Sequence, residues 1–465
     1  MVTARFSEWI RKDGRDHGLM LRFCFPPYPV MGMPKSVLRK YVEGNDPISG
    51  KPLMPEIIDA LTRPLTREEA NQSIRSARRH PRLLPPDTEE NLQYLFVENG
   101  WTDGLPILLP TEERVAEMLT GTDHDPQEVV GRMTVTTHEE KWEYTVEQVA
   151  AIAVMAGARP EHLPVLLAIA STHTPIVPSS TTSFAGMILV NGPIRHEIGM
   201  NCGAGALSPF NVANSVIGRA SLLMSICFGN AKLGDTFWAS TGHNLNYNNM
   251  CCAENEEHSP WEPFHVQHGY KPGESVVTLF RGWNLINMGI GEGKEMGRVA
   301  KNLPSMAGSV VFIVDPLVAK NLKAEGHNSP RDFACWLTEN VTIAAKQFWG
   351  EGLHSERFRN LAKQGVEPFA SWAKLPDDGI IHAFRSPDLI KTIVVGGETN
   401  PLWITTDFMI SAQASIDQWV PKAGVTKDKR PYRLPAALTI SQAACGYERS
   451  AEAVINELQE TVTAK

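Results

Sequence analysis

The sequence predicts an α/β protein in which duplicated strand–helix units surround a mainly parallel sheet, preceded by an irregular N-terminal arm. Three short apolar runs, at Met187–Val190, Val310–Val314 and Ile393–Val395, are bounded by turn residues and are typical of buried strands. The longer segments between them predict helices. Because strands that alternate with helices usually pair in parallel, we expect a parallel sheet covered by helices.

The two ends of the chain are expected to lie outside this core. Residues 1–90 contain many prolines and predict an arm that wraps a body or a partner subunit. Within the arm only Arg67–Ala77 is predicted to be helical, because Thr66 and Glu69 have the spacing of a capping box. Residues 421–465 are expected to form a tail that ends in a helix.

Capping signals organise the beginning of the predicted core, which spans residues 91–420. Thr111 is a typical N-cap for the helix that follows it. Thr145 and Gln148 have the spacing of a capping box, and Gly157 is expected to end the helix that they begin. Each of these helices therefore has a predicted start that rests on side-chain chemistry.

We expect an internal duplication of the core, with one unit at about 145–300 and another at about 301–420. In each unit a buried strand is followed by a proline turn, a connecting segment and a Ser-Pro pair that begins a long helix. The two pairs and their helices are Ser208-Pro209 with Phe210–Cys227 and Ser329-Pro330 with Arg331–Phe348. The alternative is that strand–proline–helix units resemble each other by chance.

Composition argues against several classes of protein. The net charge of -8 and the pI of about 6.0 do not suit a nucleic-acid-binding protein or one that binds an anionic membrane. No run approaches the ~18 apolar residues of a membrane helix, and the N-terminus has no apolar signal core. The seven cysteines include no C-x-x-C pair. We therefore expect a cytoplasmic protein without a zinc ribbon.

The first candidate site is the glycine-rich loop from Asn191 to Ser208, which follows a predicted strand. Ligands of open α/β sheets bind beyond the carboxyl ends of strands, and glycines let the backbone approach a ligand closely. The helix that we expect to begin at Ser208 offers N–H groups to an anion. The predicted substrate-binding residues are Arg195, His196, Asn201, Gly203 and Ser208. The alternative is a turn that only connects a strand to a helix.

Cys202 lies in this loop and is a candidate catalytic nucleophile. A thiol ahead of a helix N-terminus can have a lowered pKa, and its small neighbours leave it open. The alternative is that Cys202 is a small buried hydrophobic residue, as isolated cysteines usually are.

The second candidate site is Cys251–His268, which reads CCAENEEHSPWEPFHVQH. Prolines at positions 260 and 263 prevent one continuous helix. The segment combines two thiols, four carboxylates, three imidazoles and one indole, which is poor material for an apolar core. The alternative is that its acidic run is a solvated surface.

Side chains of this segment have the chemistry of acids, bases and metal ligands. We predict Glu256 as the general base and His265 as the acid or a ligand. Glu254 and His258 are predicted ligands of a divalent metal, for which Zn, Fe and Mn are the candidates. Trp261 is predicted to form a wall of the substrate pocket.

Several long motifs lie between about residues 90 and 420. They are NGWTDGLPILLPTEERV, GARPEHLPVLLAIA, VNGPIRHEIGMNCGAGALSPFNVANSVIGRA and AENEEHSPWEPFHV. Together they resemble a bacterial family of largely uncharacterised proteins that is associated with thioredoxin-like or selenoprotein-like proteins carrying a U-G-S-C motif. The resemblance implies such a partner but no settled reaction. Members tend to carry Ser at the position of Cys202, which argues against a family-wide nucleophile there.

Three functions follow from these patterns. The first is an enzyme, a hydrolase or lyase, that acts on a small organic anion by acid–base chemistry, either with or without a metal. The second is a thiol-based redox component that uses Cys202 or the pair Cys251 and Cys252 with a separate partner protein. The third is a non-catalytic subunit of an oligomeric complex. A homo-oligomer is expected in each case, because the long arm suits contact with a neighbouring copy.

Overall fold

The structure is a computed structural model. It describes residues 2–16, 21–30, 33–70, 82–134, 141–178, 181–234, 236–288, 293–301, 303, 309–350 and 355–425. The helices are α1 (Ser7–Asp16), α2 (Lys35–Glu43), α3 (Leu53–Thr62), α4 (Arg67–Ala70), α5 (Glu89–Glu98), α6 (Glu112–Leu119), α7 (Val146–Ala156), α8 (Leu163–Ser171), α9 (Ile194–Glu197), α10 (Val212–Cys227), α11 (Phe264–Gln267), α12 (Gly293–Ala300), α13 (Pro316–Ala324), α14 (Pro330–Asn340), α15 (Ala345–Gly350), α16 (Ser355–Lys363) and α17 (Phe369–Trp372). The strands are β1 (Val129–Thr134), β2 (Lys141–Thr145), β3 (Ala185–Asn191), β4 (Cys251–Ala253), β5 (Val276–Gly282), β6 (Leu285–Met288), β7 (Val310–Val314), β8 (Thr342–Ala344), β9 (Ile380–His382), β10 (Ile390–Val394), β11 (Trp403–Thr406) and β12 (Met409–Ser415).

Helix starts follow the capping signals of the sequence. The predicted caps at Thr111 and Ser329 accept hydrogen bonds from the backbone of the first helical turn. Thr145 forms a full capping box, and Gly157 ends α7 in the left-handed conformation. Thr66 and Glu69 also bond reciprocally at the start of α4. These predictions are confirmed because capping depends on residues only three positions apart.

Two four-stranded mixed sheets form the centre of the molecule, in the orders β4-β3-β5-β12 and β10-β7-β11-β6. Helices and sheets together confirm the α/β class. Among the eight strand pairs of the described residues, β3–β4 and β7–β10 are parallel and six are antiparallel. The expected mainly parallel sheet is therefore not confirmed. The two parallel pairs are separated by long helical connections, whereas shorter connections return the chain antiparallel.

The two sheets have the same order of parallel and antiparallel strand pairs. Each also contains one edge strand, β12 in the first sheet and β6 in the second, that follows the strands of the other sheet in the chain. Each sheet has one parallel pair followed by two antiparallel pairs. After β5 the chain leaves the first sheet and forms β6 at the edge of the second. After β11 it leaves the second sheet and forms β12 at the edge of the first. The edge strands β6 and β12 are thus exchanged between the sheets.

Three apolar cores hold four layers together. The first core joins helices α7, α8 and α10 to one face of the first sheet, and another joins α12, α13 and α14 to the second sheet. The remaining core lies between the sheets. Side chains alternate accordingly, because Ile188 and Val190 face the first core while Met187 and Leu189 face the core between the sheets. Full burial of each such side chain stabilises the fold by about 1.5–3 kcal/mol.

Two predicted helices differ in the structure. Ser208 does not cap α10, because Asn211 stands before it and its side chain donates to the carbonyl oxygens of Gly205 and Ser208, which folds this stretch into turns. The helix predicted at Arg331–Phe348 is interrupted after Asn340 by β8. The consecutive β-branched residues Val341-Thr342-Ile343 explain this break, because they fit a strand better than a helix.

The N-terminal arm was expected to be irregular, but α1, α2, α3 and α4 lie within its described residues. Proline precedes α2 and α3 and so marks where these helices begin rather than preventing them. Most of the predicted tail, from residue 426 onwards, and the second half of the helix predicted at Arg67–Ala77 lie outside the described residues. Within the described part of the chain, no helix combines the length and apolar character needed to cross a lipid bilayer.

Candidate functional site

The two candidate segments meet at the carboxyl ends of β3, β4 and β10. The chain leaves β4 at Glu254, and the next residue, Asn255, donates its backbone N–H to the carbonyl oxygen of Val394 at 2.8 Å. The Asn255 side chain also donates to the carbonyl oxygen of Gly396 at 2.8 Å. The acidic segment therefore connects the end of the first sheet to the end of the second.

Asn191, the last residue of β3, holds two carboxylates of the acidic segment. Its Nδ2 donates to Glu254 and, at 3.0 Å, to Glu256 Oε1. Glu256 Oε1 also accepts the backbone N–H of Gly192 at 2.8 Å, and Glu254 Oε2 accepts that of Phe264 at 2.7 Å. The two candidate segments are therefore in contact, through Asn191 at the end of β3 and Gly192 directly after it.

Arg195 is buried at the centre of the cluster and is engaged by protein groups. Its Nη1 donates to the carbonyl oxygen of Glu254 at 2.9 Å, and both Nη atoms donate to the Glu257 carboxylate at 3.0 and 2.7 Å. Nη2 also lies 3.0 Å from Glu256 Oε2. The exposed imidazole of His196 contacts Glu257 Oε1 at 2.8 Å. These contacts leave Arg195 fewer donors for a substrate anion than the sequence suggested.

Two acids of this segment, Glu254 and Glu257, differ in their environments. Glu254 is fully buried, and the loss of solvation raises its pKa to about 7. The hydrogen bonds from Arg195 lower the pKa of Glu257 to about 2. A protonated and an ionised carboxyl group can therefore coexist in one cluster at neutral pH, which is the arrangement that acid–base enzymes use.

His265 lies beside these acids without any exposure to solvent. Its Nδ1 is 4.0 Å from Glu256 Oε1, which is beyond hydrogen-bonding distance. In the described residues, neither ring nitrogen of His265 has a hydrogen-bond partner, and the same is true of Asn191 Oδ1 and Arg195 Nε. Buried polar atoms rarely stay unpaired, so this group of atoms is suited to contact a small polar molecule.

Cys202 reaches the edge of the cluster, where its Sγ lies 3.9 Å from Arg195 Nη1. Burial raises the pKa of its thiol despite this cation. Cys251 and Cys252 are buried and face different cores, because adjacent residues of a strand point to opposite sides. Burial raises the pKa of Cys252 to about 12 and that of Cys251 well above the usual value. These environments do not favour thiolate chemistry at neutral pH.

Other predicted substrate-binding residues have different surroundings. The Asn201 side chain donates to Ala204 O and accepts from Gly203 N, so it stabilises its own loop. Ser208 lines a cavity on another side of the loop. Trp261 packs into the core of the second sheet and donates from Nε1 to His327 O at 3.0 Å, so it is engaged in packing.

The two predicted metal ligands, Glu254 and His258, are bound by different protein groups. His258 is exposed and its Nδ1 contacts Asn255 Oδ1 at 2.9 Å, whereas the carboxylate of Glu254 is bound by Asn191 and Phe264. Among the described residues, no group of three or more His, Cys, Asp or Glu side chains is arranged to hold a metal ion. The metal stays a prediction.

Sequence reasoning missed the contribution of the second sheet to this site. Gly396 donates its backbone N–H to Cys202 O at 3.0 Å. A Cβ placed on Gly397 would lie 2.5 Å from the backbone of Ala204, so the two loops are in direct contact. The available signal was the pair of glycines directly after a buried strand, because such positions converge at the carboxyl ends of neighbouring strands.

No family model, no curated protein and no solved structure matches this chain. The resemblance to the bacterial family associated with U-G-S-C proteins therefore stays a prediction that rests on the sequence motifs.

Proposed function

We propose that the protein is an enzyme that acts on a small organic anion by hydrolytic or lyase-type acid–base chemistry. The observation that carries the proposal is a cluster in which the pKa of buried Glu254 is about 7 and that of exposed Glu257 is about 2, next to a buried imidazole that has no hydrogen-bond partner among the described residues. Pairs of titratable groups whose environments separate their pKa values are typical of acid–base sites.

Each group of the cluster has a role in this proposal. Glu254 exchanges a proton near neutral pH, because a pKa close to the working pH suits a general acid or base. Glu256 is the general base that works with His265, 4.0 Å away, and their contact tightens when substrate binds. Arg195 keeps Glu257 ionised and holds the carboxylates of Glu256 and Glu257 in place. No step of this scheme passes through a metal.

The substrate anion would meet the exposed imidazoles of the cluster rather than Arg195. His196 is 56% exposed in its side chain and His258 is exposed, whereas Arg195 is 3% exposed and already engaged. The ring N–H groups of the two imidazoles can donate hydrogen bonds to an anion at the exposed edge of the cluster.

The competing interpretation is that the cluster only ties the two sheets together. If the cluster is only structural, Glu256 is needed for its hydrogen bonds and not for proton transfer. If Glu256 is a general base, its carboxylate must accept a proton. Glu256→Gln preserves the shape and distinguishes the two. Glu262→Gln is the matched control, because Glu262 is exposed in the same segment.

The experiment begins with turnover by the purified wild-type protein. A panel of carboxylic acids, with their amides and esters, is incubated with the protein and followed by NMR. We expect consumption of at least one anionic member, a loss of at least ~100-fold in kcat for Glu256→Gln, and no change for Glu262→Gln. A panel without turnover, or an unchanged rate in Glu256→Gln, would overturn the proposal. Metal analysis of the same active protein decides whether Zn, Fe or Mn takes part.

We also propose that the core is a duplication in which each unit gives its last strand to the sheet of the other. The matching strand order of the two sheets supports this proposal. The homo-oligomer and the thioredoxin-like partner stay predictions. Light scattering of the purified protein tests the first, and a pull-down with a U-G-S-C protein tests the second.

A further inference from the structure

A cavity lies against the second sheet, and its lining residues are separate from the acidic cluster. Its walls come from the loop at Ala206–Ser208, from α10 and from the residues that lead into β4. Leu285 of β6 and Ile404 of β11 close it from the second sheet. The cavity therefore lies where the exchanged strand β6 and its neighbour β11 meet elements of the first half.

The size of the cavity suits a small organic molecule. Its volume is about 170 Å³. A dry cavity of about 150 Å³ is enough to take up benzene in a protein core. Ala206, Asn214 and Cys251 are buried, whereas Leu207 and Ser208 are exposed, so the cavity leads inward from the surface.

The chemistry of the lining selects for an uncharged occupant. None of the described residues that line the cavity carries a charge. Leu245, Met250 and Ile404 contribute apolar surface, while Ser208 and Ser215 contribute hydroxyl groups. A buried carboxylate or ammonium group would lose its hydration here without gaining a counter-ion. A molecule with an apolar body and one hydrogen-bonding group fits this lining.

The wall is also pre-formed, which reduces the entropic cost of binding. Asn214 Oδ1 accepts from Asn201 N at 3.1 Å, and its Nδ2 donates to Asn201 O at 3.0 Å. Helix α10 also packs directly against Asn248, another lining residue, since a Cβ on Gly218 would lie 1.9 Å from Asn248 O. Sites that bind small molecules are usually formed before the ligand arrives.

We propose that this cavity is a binding site for an uncharged small molecule about the size of a substituted benzene ring. The site goes beyond the proposed acid–base function, because its lining residues belong to neither the acids nor the imidazoles of that cluster. Binding places the ring among Leu245, Met250 and Ile404 and the polar group toward Ser208 and Ser215.

Benzamide and benzoate test the proposal as a pair of probes that are matched in size and differ in charge. Ligand-observed NMR titration of the full chain at pH 7.5 gives their dissociation constants. We expect a Kd on the order of 1 mM for benzamide, and binding of benzoate weaker by at least ~10-fold. Ser215→Leu fills the cavity from α10 and is expected to weaken benzamide binding by at least ~10-fold.

Ser371→Leu is the matched control, because it makes the same substitution at an exposed position of α17 and should leave benzamide binding unchanged. If circular dichroism shows that Ser215→Leu is unfolded, Leu285→Trp fills the same cavity from the second sheet. The proposal is overturned if benzamide does not bind below ~10 mM, if benzoate binds equally well, or if the folded filling variant binds like the wild type.

Discussion

The buried carboxyl group of Glu254 makes the stability of the protein depend on pH. Its folded-state pKa of about 7 lies above the ordinary value of 4.5, so its stabilising effect is complete below pH 4.5 and is lost as the pH rises through 7. This difference corresponds to about 3 kcal/mol. We expect Glu254→Gln to abolish this loss, because the amide stays neutral. Urea unfolding of the wild type and of Glu254→Gln at pH 5 and pH 8 measures the loss of stability. An equal pH dependence of the two proteins would contradict the prediction.

Arg195 and His196 are neighbours in sequence but differ in what their removal should cost. Arg195→Met leaves the carboxylates of Glu256 and Glu257 without their buried cation, and we expect a loss of about 3 kcal/mol in the free energy of unfolding. His196→Ala removes an exposed contact and should cost less than about 1 kcal/mol. Urea denaturation at pH 7 compares them, and similar losses would show that Arg195 does not hold the cluster.

At the scale of the element, the loop after β10 supports the loop after β3. Gly397→Ala places a methyl group against the backbone of Ala204, and relieving this overlap requires one of the two loops to shift its backbone. We expect a loss of about 1–3 kcal/mol in stability together with a loss of turnover, because the loop that carries Cys202 must move.

Gly203→Ala is the control within the contacted loop. Its nearest neighbour would be 3.8 Å away, so a change below about 0.5 kcal/mol is expected in thermal unfolding. Equal effects of the two substitutions would disprove the contact.

At the scale of the whole molecule, the exchanged strands β6 and β12 make the two halves depend on each other. A chain divided between Met288 and Gly293 leaves β6 in the first fragment and its partner β11 in the second. Each fragment alone would expose the core between the sheets, so we expect neither to unfold cooperatively by itself. Co-expressed fragments are expected to purify as a 1:1 complex, measured by size-exclusion chromatography and circular dichroism.

A second fragment that ends at Phe408 is the control for this experiment. It lacks β12, which pairs with β5 along the edge of the first sheet. We expect it to lose the complex, because the first sheet would keep an unpaired edge. A first fragment that folds alone with a native unfolding transition would show that the halves are independent.

Local signals were enough to predict much of the fold. Val310–Val314 is a strand with the predicted bounds, and Thr145 begins a helix that ends before Gly157, because apolar runs and caps act over a few residues. The glycine-rich loop was also singled out by the rule that ligand sites lie at the carboxyl ends of strands, whereas the contact of Asn191 and Arg195 with Glu256 is seen only in the folded chain. The helix predicted at Phe210–Cys227 is present but begins at Val212 rather than after a Ser208 cap, because the Asn211 side chain bonds to the preceding loop.

The sequence by itself determined the helix starts at Thr111, Thr145 and Ser329, the buried strand Val310–Val314 and the two segments that were singled out as candidate sites. Tertiary structure alone decided that β6 and β12 change sheets, and that Glu254 is buried while Glu257 is exposed and paired. The physical reason is the range of the interactions. Caps and apolar periodicity act between neighbours in the chain, whereas strand pairing and the desolvation that sets a pKa depend on residues that only folding brings together.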